Sequence, residues 1–133
     1  MDAVVKWKNE LKIKELMKVL EERDFDTVFA KDKDEARKIV MDMIPEGSKI
    51  AVGGSVTLNE TGILDAIRDP KYNFIDRYNT SSFEEMLDKY REGYTADVFV
   101  SSTNAITMEG QLVNIDCTGN RTSQMVFGPK KVI

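Results

Sequence analysis

The sequence predicts an α/β fold built around a mainly parallel sheet. Two observations carry that prediction. Short apolar runs such as Lys49–Val52 and Asp97–Ser101 alternate with longer stretches of helical periodicity. Several of the runs then pass into glycines and small hydroxyl residues, as in Gly53-Gly54-Ser55 and Ser101-Ser102-Thr103-Asn104. Strands alternating with helices build βαβ units and hence parallel pairing. Ligands of such sheets gather beyond the carboxyl ends of the strands, at a topological switch point.

The elements follow in order. Residues 3–22 have helical periodicity, but their apolar positions form two faces. Val4, Trp7 and Leu11 share one, and Ile13, Leu16, Met17 and Leu20 lie nearly opposite. A helix with two apolar faces has two things to touch. Either its second half packs on the body while the Trp7 face meets another subunit, giving a homo-oligomer, or a bent helix buries both faces at home. Asp26–Ala30 reads as a short strand. Asp32 caps a helix through Ile44, with Glu35 placed for a capping box and Ala36, Ile39, Val40, Met43 and Ile44 as its apolar face. Pro45-Glu46-Gly47-Ser48 ends it.

Lys49–Val52 is a strand leading into Gly53-Gly54-Ser55, and a helix follows to about Arg68. Tyr72–Asp76 is a strand. Ser82 with Glu85 opens a helix that buries Phe83, Met86, Leu87 and Tyr90 and ends at Gly93. Asp97–Ser101 is a strand. Around Glu109-Gly110, read as a two-residue hairpin turn, Ala105–Thr107 pairs with Leu112–Ile115. A helix from about Gly119 to Phe127 stops at Gly128-Pro129, and Lys131-Val132-Ile133 reads as the beginning of another strand.

Composition narrows the function. A chain of 133 residues, 41% hydrophobic and 32% charged, makes one domain with a core that needs neither disulfide nor metal. No apolar run approaches the ~20 residues of a membrane span. Nineteen basic against 23 acidic residues, net −4, argue against a nucleic-acid partner. Lys6, Lys8, Lys12, Lys14 and Lys18, offset by Asp2, Glu10 and Glu15, read as a solvated helix face. There is one cysteine, Cys117, and no histidine. That rules out an internal disulfide, a Ser-His-Asp triad, a Cys–His pair and a His-ligated metal, and no EF-hand spacing is present; no metal site is expected. The lack of a signal peptide points to the cytoplasm, with no membrane association. Catalysis here must run on carboxylates, amides, hydroxyls, Lys or Arg.

Three loops could carry chemistry. Gly53, Gly54, Ser55 and Thr57 let backbone approach an anion ahead of a helix, although any tight strand-to-helix turn also favours Gly-Gly-Ser. Thr57 and Glu60 have the spacing of a capping box, which explains a Glu at this position. Yet Glu60 also shares a helical face with Ile63, Leu64 and Ile67, which would aim it at the crevice as a general base or hydroxyl-binding group. Ser101–Asn104 can cradle a polar ligand or only satisfy its own turn; Asp97, at the strand's start, reads as structural. Asn114, Asp116, Asn120 and Arg121 stand before another helix. Arg121 can fork onto a carboxylate or phosphate, or it can bridge Asp116 while Asn120 caps the loop. Cys117 has no His to activate it and reads as a small core residue.

SSTNAIT, EGQLVNID, GNR and FGPKKVI, in that order, together with GGSVTLNETGILDAI, resemble the lactate-utilisation (LUD) domain family over nearly the entire chain. The resemblance implies a three-layer α/β/α fold, similar to the ribose-5-phosphate isomerase and CoA-transferase superfamily. It also implies an association with oxidation of L-lactate to pyruvate, often beside iron–sulfur partner proteins. The implied ligand is a small anionic metabolite, with Glu60 and Asp116 as acid–base candidates and Asn104, Asn120 and Arg121 as binding candidates. Isomerase- or CoA-transferase-like chemistry through Glu60, and a non-catalytic binding or assembly module, are the alternatives. Resemblance at this level fixes neither reaction nor cofactor. Cys117 stands where the family form DGTGNR has Gly. The family pattern also continues past GPKKVI, so the sheet is expected to be completed beyond residue 133 or by pairing its edge with a second copy.

Overall fold

A computed structural model describes residues 2–133. Two apolar runs form the centre of the sheet. Strands β1 (Lys49–Val52) and β3 (Val98–Val100) pair in parallel, Ala51 opposite Phe99. Strand β2 (Asn73–Phe74) adds in parallel beyond β1, and β6 (Lys131–Val132) beyond β3, giving the order β2-β1-β3-β6. The closing segment therefore forms a strand as expected, and Ile133 continues it by donating its N–H to Phe99 at 2.9 Å. Strand β2 spans two residues of the expected five, and the Ile75 N–H still bonds to Ile50 O at 2.9 Å.

Strand alternation sends Ile50, Val52, Val98 and Val100 to one face of the sheet and Ala51 and Phe99 to the other. The first face is covered by Val40, Met41 and Ile44, from or just beyond α2 (Lys33–Asp42), and by Leu58 of α3 (Val56–Glu60). Ile63 and Leu64 of α4 (Ile63–Ala66), with Ile67, complete this cover. The second face packs against Ile75, Ala96 and Met125, the last on α6 (Asn120–Phe127). Helix α5 (Phe83–Gly93) comes down on the same side. A methyl at Gly93 would stand 3.2 Å from the Ala51 Cβ. Helices on both faces of a parallel sheet make the three layers that the family resemblance implies.

Caps decide where these helices start. Asp32 accepts from the Glu35 N–H at 2.8 Å while Glu35 reaches back to the Lys31 N–H at 2.7 Å. Ser82 and Glu85 repeat the arrangement, with Ser81 in the place of Lys31. Phe83 is 62% exposed, contrary to expectation. It opens α5, which meets the sheet at its other end, and the buried contribution comes later, at Tyr90.

The chain divides into two compact units. The sheet and its helices occupy Lys31–Ser102 and Ile115–Ile133. The other unit holds the chain up to Ala30 and Thr103–Asn114. There α1 (Ala3–Glu21) is closed by a Schellman pair, Asp24 N–H to Glu21 O at 3.1 Å and Phe25 N–H to Leu20 O at 3.1 Å. Asp24 takes the left-handed conformation this requires, φ 65°. The five lysines of α1 are exposed, and Trp7 is 61% exposed.

Two expectations fail in this unit. Asp26–Ala30 is not a strand, because no neighbouring strand is bonded to it and Val28 and Phe29 lie exposed. Strands β4 (Ala105–Ile106) and β5 (Leu112–Val113) do pair antiparallel, but around a three-residue loop. Thr107 N–H bonds to Gln111 O and Gly110 N–H to Thr107 O, both at 3.0 Å, with Gly110 at φ 77°. A type I turn followed by a left-handed glycine explains the extra residue.

Candidate functional site

The strand order places a switch point between β1 and β3. From β1 the chain moves outward to β2; from β3 it moves the opposite way, to β6. The two loops that leave these strands therefore part from each other just beyond the sheet. At that place Ser55 Oγ and Ser102 Oγ lie 2.8 Å apart. Ser55 also caps α3, accepting from the Leu58 N–H at 3.2 Å.

Arg121 anchors the floor of this region and is itself buried. Its Nη1 donates to Ser102 O at 2.7 Å, Nη2 to Ile115 O at 3.3 Å and Nε to Asp116 Oδ1 at 2.9 Å. Asp116 uses its other oxygen, Oδ2, to accept from both the N–H and the hydroxyl of Thr122, each at 2.6 Å. Gly119, the N-cap of α6, has no side chain to offer; the Asp116 carboxylate takes that place. Burial alone would raise the Asp116 pKa. The Thr122 bonds and the Arg121 guanidinium outweigh it and hold the carboxyl below its ordinary range. Gly53 is required here: a Cβ would fall 2.5 Å from Ser101 Oγ and 2.9 Å from Arg121 Cγ and Cδ.

The remaining expected residues have the following surroundings. The helix expected to run to about Arg68 is two short pieces, α3 and α4, split at Gly62 with φ 73°. Ser55, not Thr57, is the cap, so the Thr57–Glu60 capping box does not form. The split also breaks the shared face. Ile63 and Leu64 are buried, whereas Glu60 is 56% exposed at its side chain and pairs with Lys33 Nζ at 3.1 Å. Thr57 is exposed. Asn120 accepts from the Thr118 hydroxyl at 2.8 Å. Cys117 is exposed rather than a core residue, since the loop turns Asp116 inward and leaves its neighbour outside. Asn104 and Asn114 belong to the hairpin unit, where Thr103 Oγ1 donates to Asn114 Oδ1 at 3.0 Å and Asn104 N–H to Val113 O at 3.1 Å. Asp97 is structural as expected, accepting from Lys49 N–H and Lys130 Nζ, each at 2.9 Å. Among the described residues no group of three Cys, Asp or Glu side chains is placed to hold a metal ion.

Sequence reasoning passed over one side chain. Arg77 lies beyond the carboxyl end of β2, and its Nη1 is 3.4 Å from where a Gly54 Cβ would stand. The signal that could have found it is positional: a cation just past a strand neighbouring β1, in a parallel sheet of the class whose ligands gather at that edge.

The LUD domain family model matches residues 13–133. The chain belongs to the LUD domain family. Comparison with curated proteins and with solved structures returns no match. The family match spans both units of this LUD domain, including both loops at the switch point. Membership associates it with lactate utilisation. Among the described residues no helix is long and apolar enough to cross a membrane.

Proposed function

We propose that this LUD domain binds a small anionic metabolite of the lactate–pyruvate class, in the cytoplasm, beyond the carboxyl ends of β1 and β3. The observation that carries the reading is the Ser55–Ser102 hydroxyl contact, 2.8 Å, at the switch point of the parallel sheet. Beside it Gly54 leaves backbone exposed without a side chain. Two hydroxyls and bare backbone supply donors that can turn to a carboxylate and to the adjacent hydroxyl or carbonyl oxygen.

Within this reading Asp116 is a positioning group. Both its oxygens are occupied by Arg121 and Thr122, so it sets the height of Ser102 through Arg121 and does not itself accept a substrate proton. Glu60, turned to solvent and paired with Lys33, has no part in it. Oxidation of lactate to pyruvate releases two electrons and two protons. With one cysteine and no histidine in the chain, the electrons pass in this reading to a partner protein of iron–sulfur type and the two protons to water.

A thermal-shift series with L-lactate, pyruvate, a sugar phosphate and a CoA ester tests the class. Stabilisation by the first two, reduced in Ser55→Ala, is expected. Stabilisation by the phosphate or CoA ester alone would move the domain to isomerase- or transferase-type chemistry.

A further inference from the structure

Arg121 is the residue whose chemistry suggests an anion-binding fork, but its three guanidinium nitrogens are committed to Asp116, Ser102 and Ile115. Arg77 is in the opposite situation. Its guanidinium is half-buried, stacked 4.4 Å from the centroid of the Tyr90 ring and 5.3 Å from that of Tyr78. Nη2 donates to the Tyr90 hydroxyl. Nε is buried and has no hydrogen-bond partner among the described residues. No described carboxylate forms an ion pair with it, although the chain is acidic and most of its other arginines have one. Taking an arginine partly out of water without a counter-charge is costly, and stacking on tyrosine offsets that only in part. Two aromatic rings hold the group in place, and the neighbouring residue on its open side is glycine.

We infer that Arg77 is the anion-binding side chain of this site and that it takes the carboxylate of a small monoanionic 2-hydroxy or 2-oxo acid over Gly54. The inference rests on the binding function proposed above and adds the group that recognises the charge. It favours a monocarboxylate over a phosphate for a reason of charge. One unpaired guanidinium neutralises one negative charge. Arg121 on α6 is already paired with Asp116, and Lys33 at the start of α2 with Glu60. A phosphate dianion would leave its second charge uncompensated.

The test is calorimetric titration of the full chain with pyruvate and, separately, inorganic phosphate, using wild type, Arg77→Gln and Gly54→Ala. Losing a charge-assisted hydrogen-bonded contact is expected to weaken pyruvate binding about 10- to 100-fold in Arg77→Gln. Gly54→Ala adds a methyl at ordinary contact distance from Nη1, so it should fold as wild type and still weaken pyruvate by crowding the guanidinium. A melting temperature for each variant separates lost binding from lost fold. If wild type binds pyruvate and both variants bind it within about twofold of wild type, a difference of only ~0.4 kcal/mol, Arg77 is not the anion group while the binding reading stands. If wild type binds phosphate more tightly than pyruvate, the monocarboxylate assignment is overturned. If wild type binds neither, the reading beneath the inference fails with it.

Discussion

Replacing Asp116 by Asn keeps the size of the side chain and removes its charge, which isolates what the carboxylate does. The Asp116 and Arg121 side chains are 9% and 7% exposed, so solvent screens the pair little. An Asn amide that offers its oxygen to Thr122 turns its NH₂ toward Arg121 Nε, donor against donor. The guanidinium is then buried without its counter-charge. Breaking a buried pair from one side costs about 3–5 kcal/mol. For a chain of this length ~4 °C is lost per kcal/mol, so the melting temperature should fall by roughly 12–20 °C. Far-UV circular dichroism on heating measures it.

The pH dependence has a definite sign. Burial pushes the Asp116 pKa up, but the Thr122 and Arg121 contacts prevail, and the folded value lies below the ordinary 3.8. As pH falls, the unfolded chain takes up the proton first. The stabilisation is therefore complete above 3.8 and is lost as pH drops through the folded value. The gap between wild type and Asp116→Asn should close in that acid range. Adding Arg121→Met should cost less than the sum of the two single losses, because no unpaired charge is left behind. A fall of less than about 3 °C, under ~1 kcal/mol, at neutral pH would refute the account of this pair.

Three further outcomes follow from local geometry. Gly53→Ala forces a methyl to 2.5 Å from Ser101 Oγ and should destabilise by about 1–3 kcal/mol in urea unfolding, whereas Gly54→Ala should stay within ~0.5 kcal/mol. Gly110→Ala, at φ 77° and with Val19 Cγ1 3.0 Å from the new methyl, should cost at least ~1 kcal/mol and weaken amide-exchange protection of the Thr107 turn. Ser82→Ala removes the α5 cap and should lower stability by ~1 kcal/mol, restored by Ser82→Asp but not by Ser82→Val.

The parts of the fold that were legible in sequence are those decided within a short stretch. Asp32 with Glu35 and Ser82 with Glu85 announce their helices, because each cap closes on a backbone N–H three residues away. Lys49–Val52 announces β1 because it is apolar on both faces, as a strand covered by helices on both sides must be. Asp26–Ala30 has the same local character and is not a strand, since pairing depends on a neighbour that sequence does not display. Gly62 splits a helical pattern whose apolar spacing survives the break. At the candidate site, Gly53, Ser55, Asp116 and Arg121 drew notice in sequence from their places at strand ends and at a helix start. Their use was not legible: whether Arg121 faces a ligand or Asp116 depends on a fold-back that composition leaves even. Arg77 was missed because, apart from its neighbour Tyr78, its environment is assembled from Gly54 and Tyr90, which only the fold brings to it.

The most direct measurement is a backbone amide NMR titration of the intact chain with pyruvate. The account predicts saturable shifts concentrated at Gly53, Gly54, Ser55 and Ser102, with the Arg77 side-chain Nε–H moving in step. Shifts absent from these residues at saturating pyruvate, or confined to other parts of the chain, would contradict it.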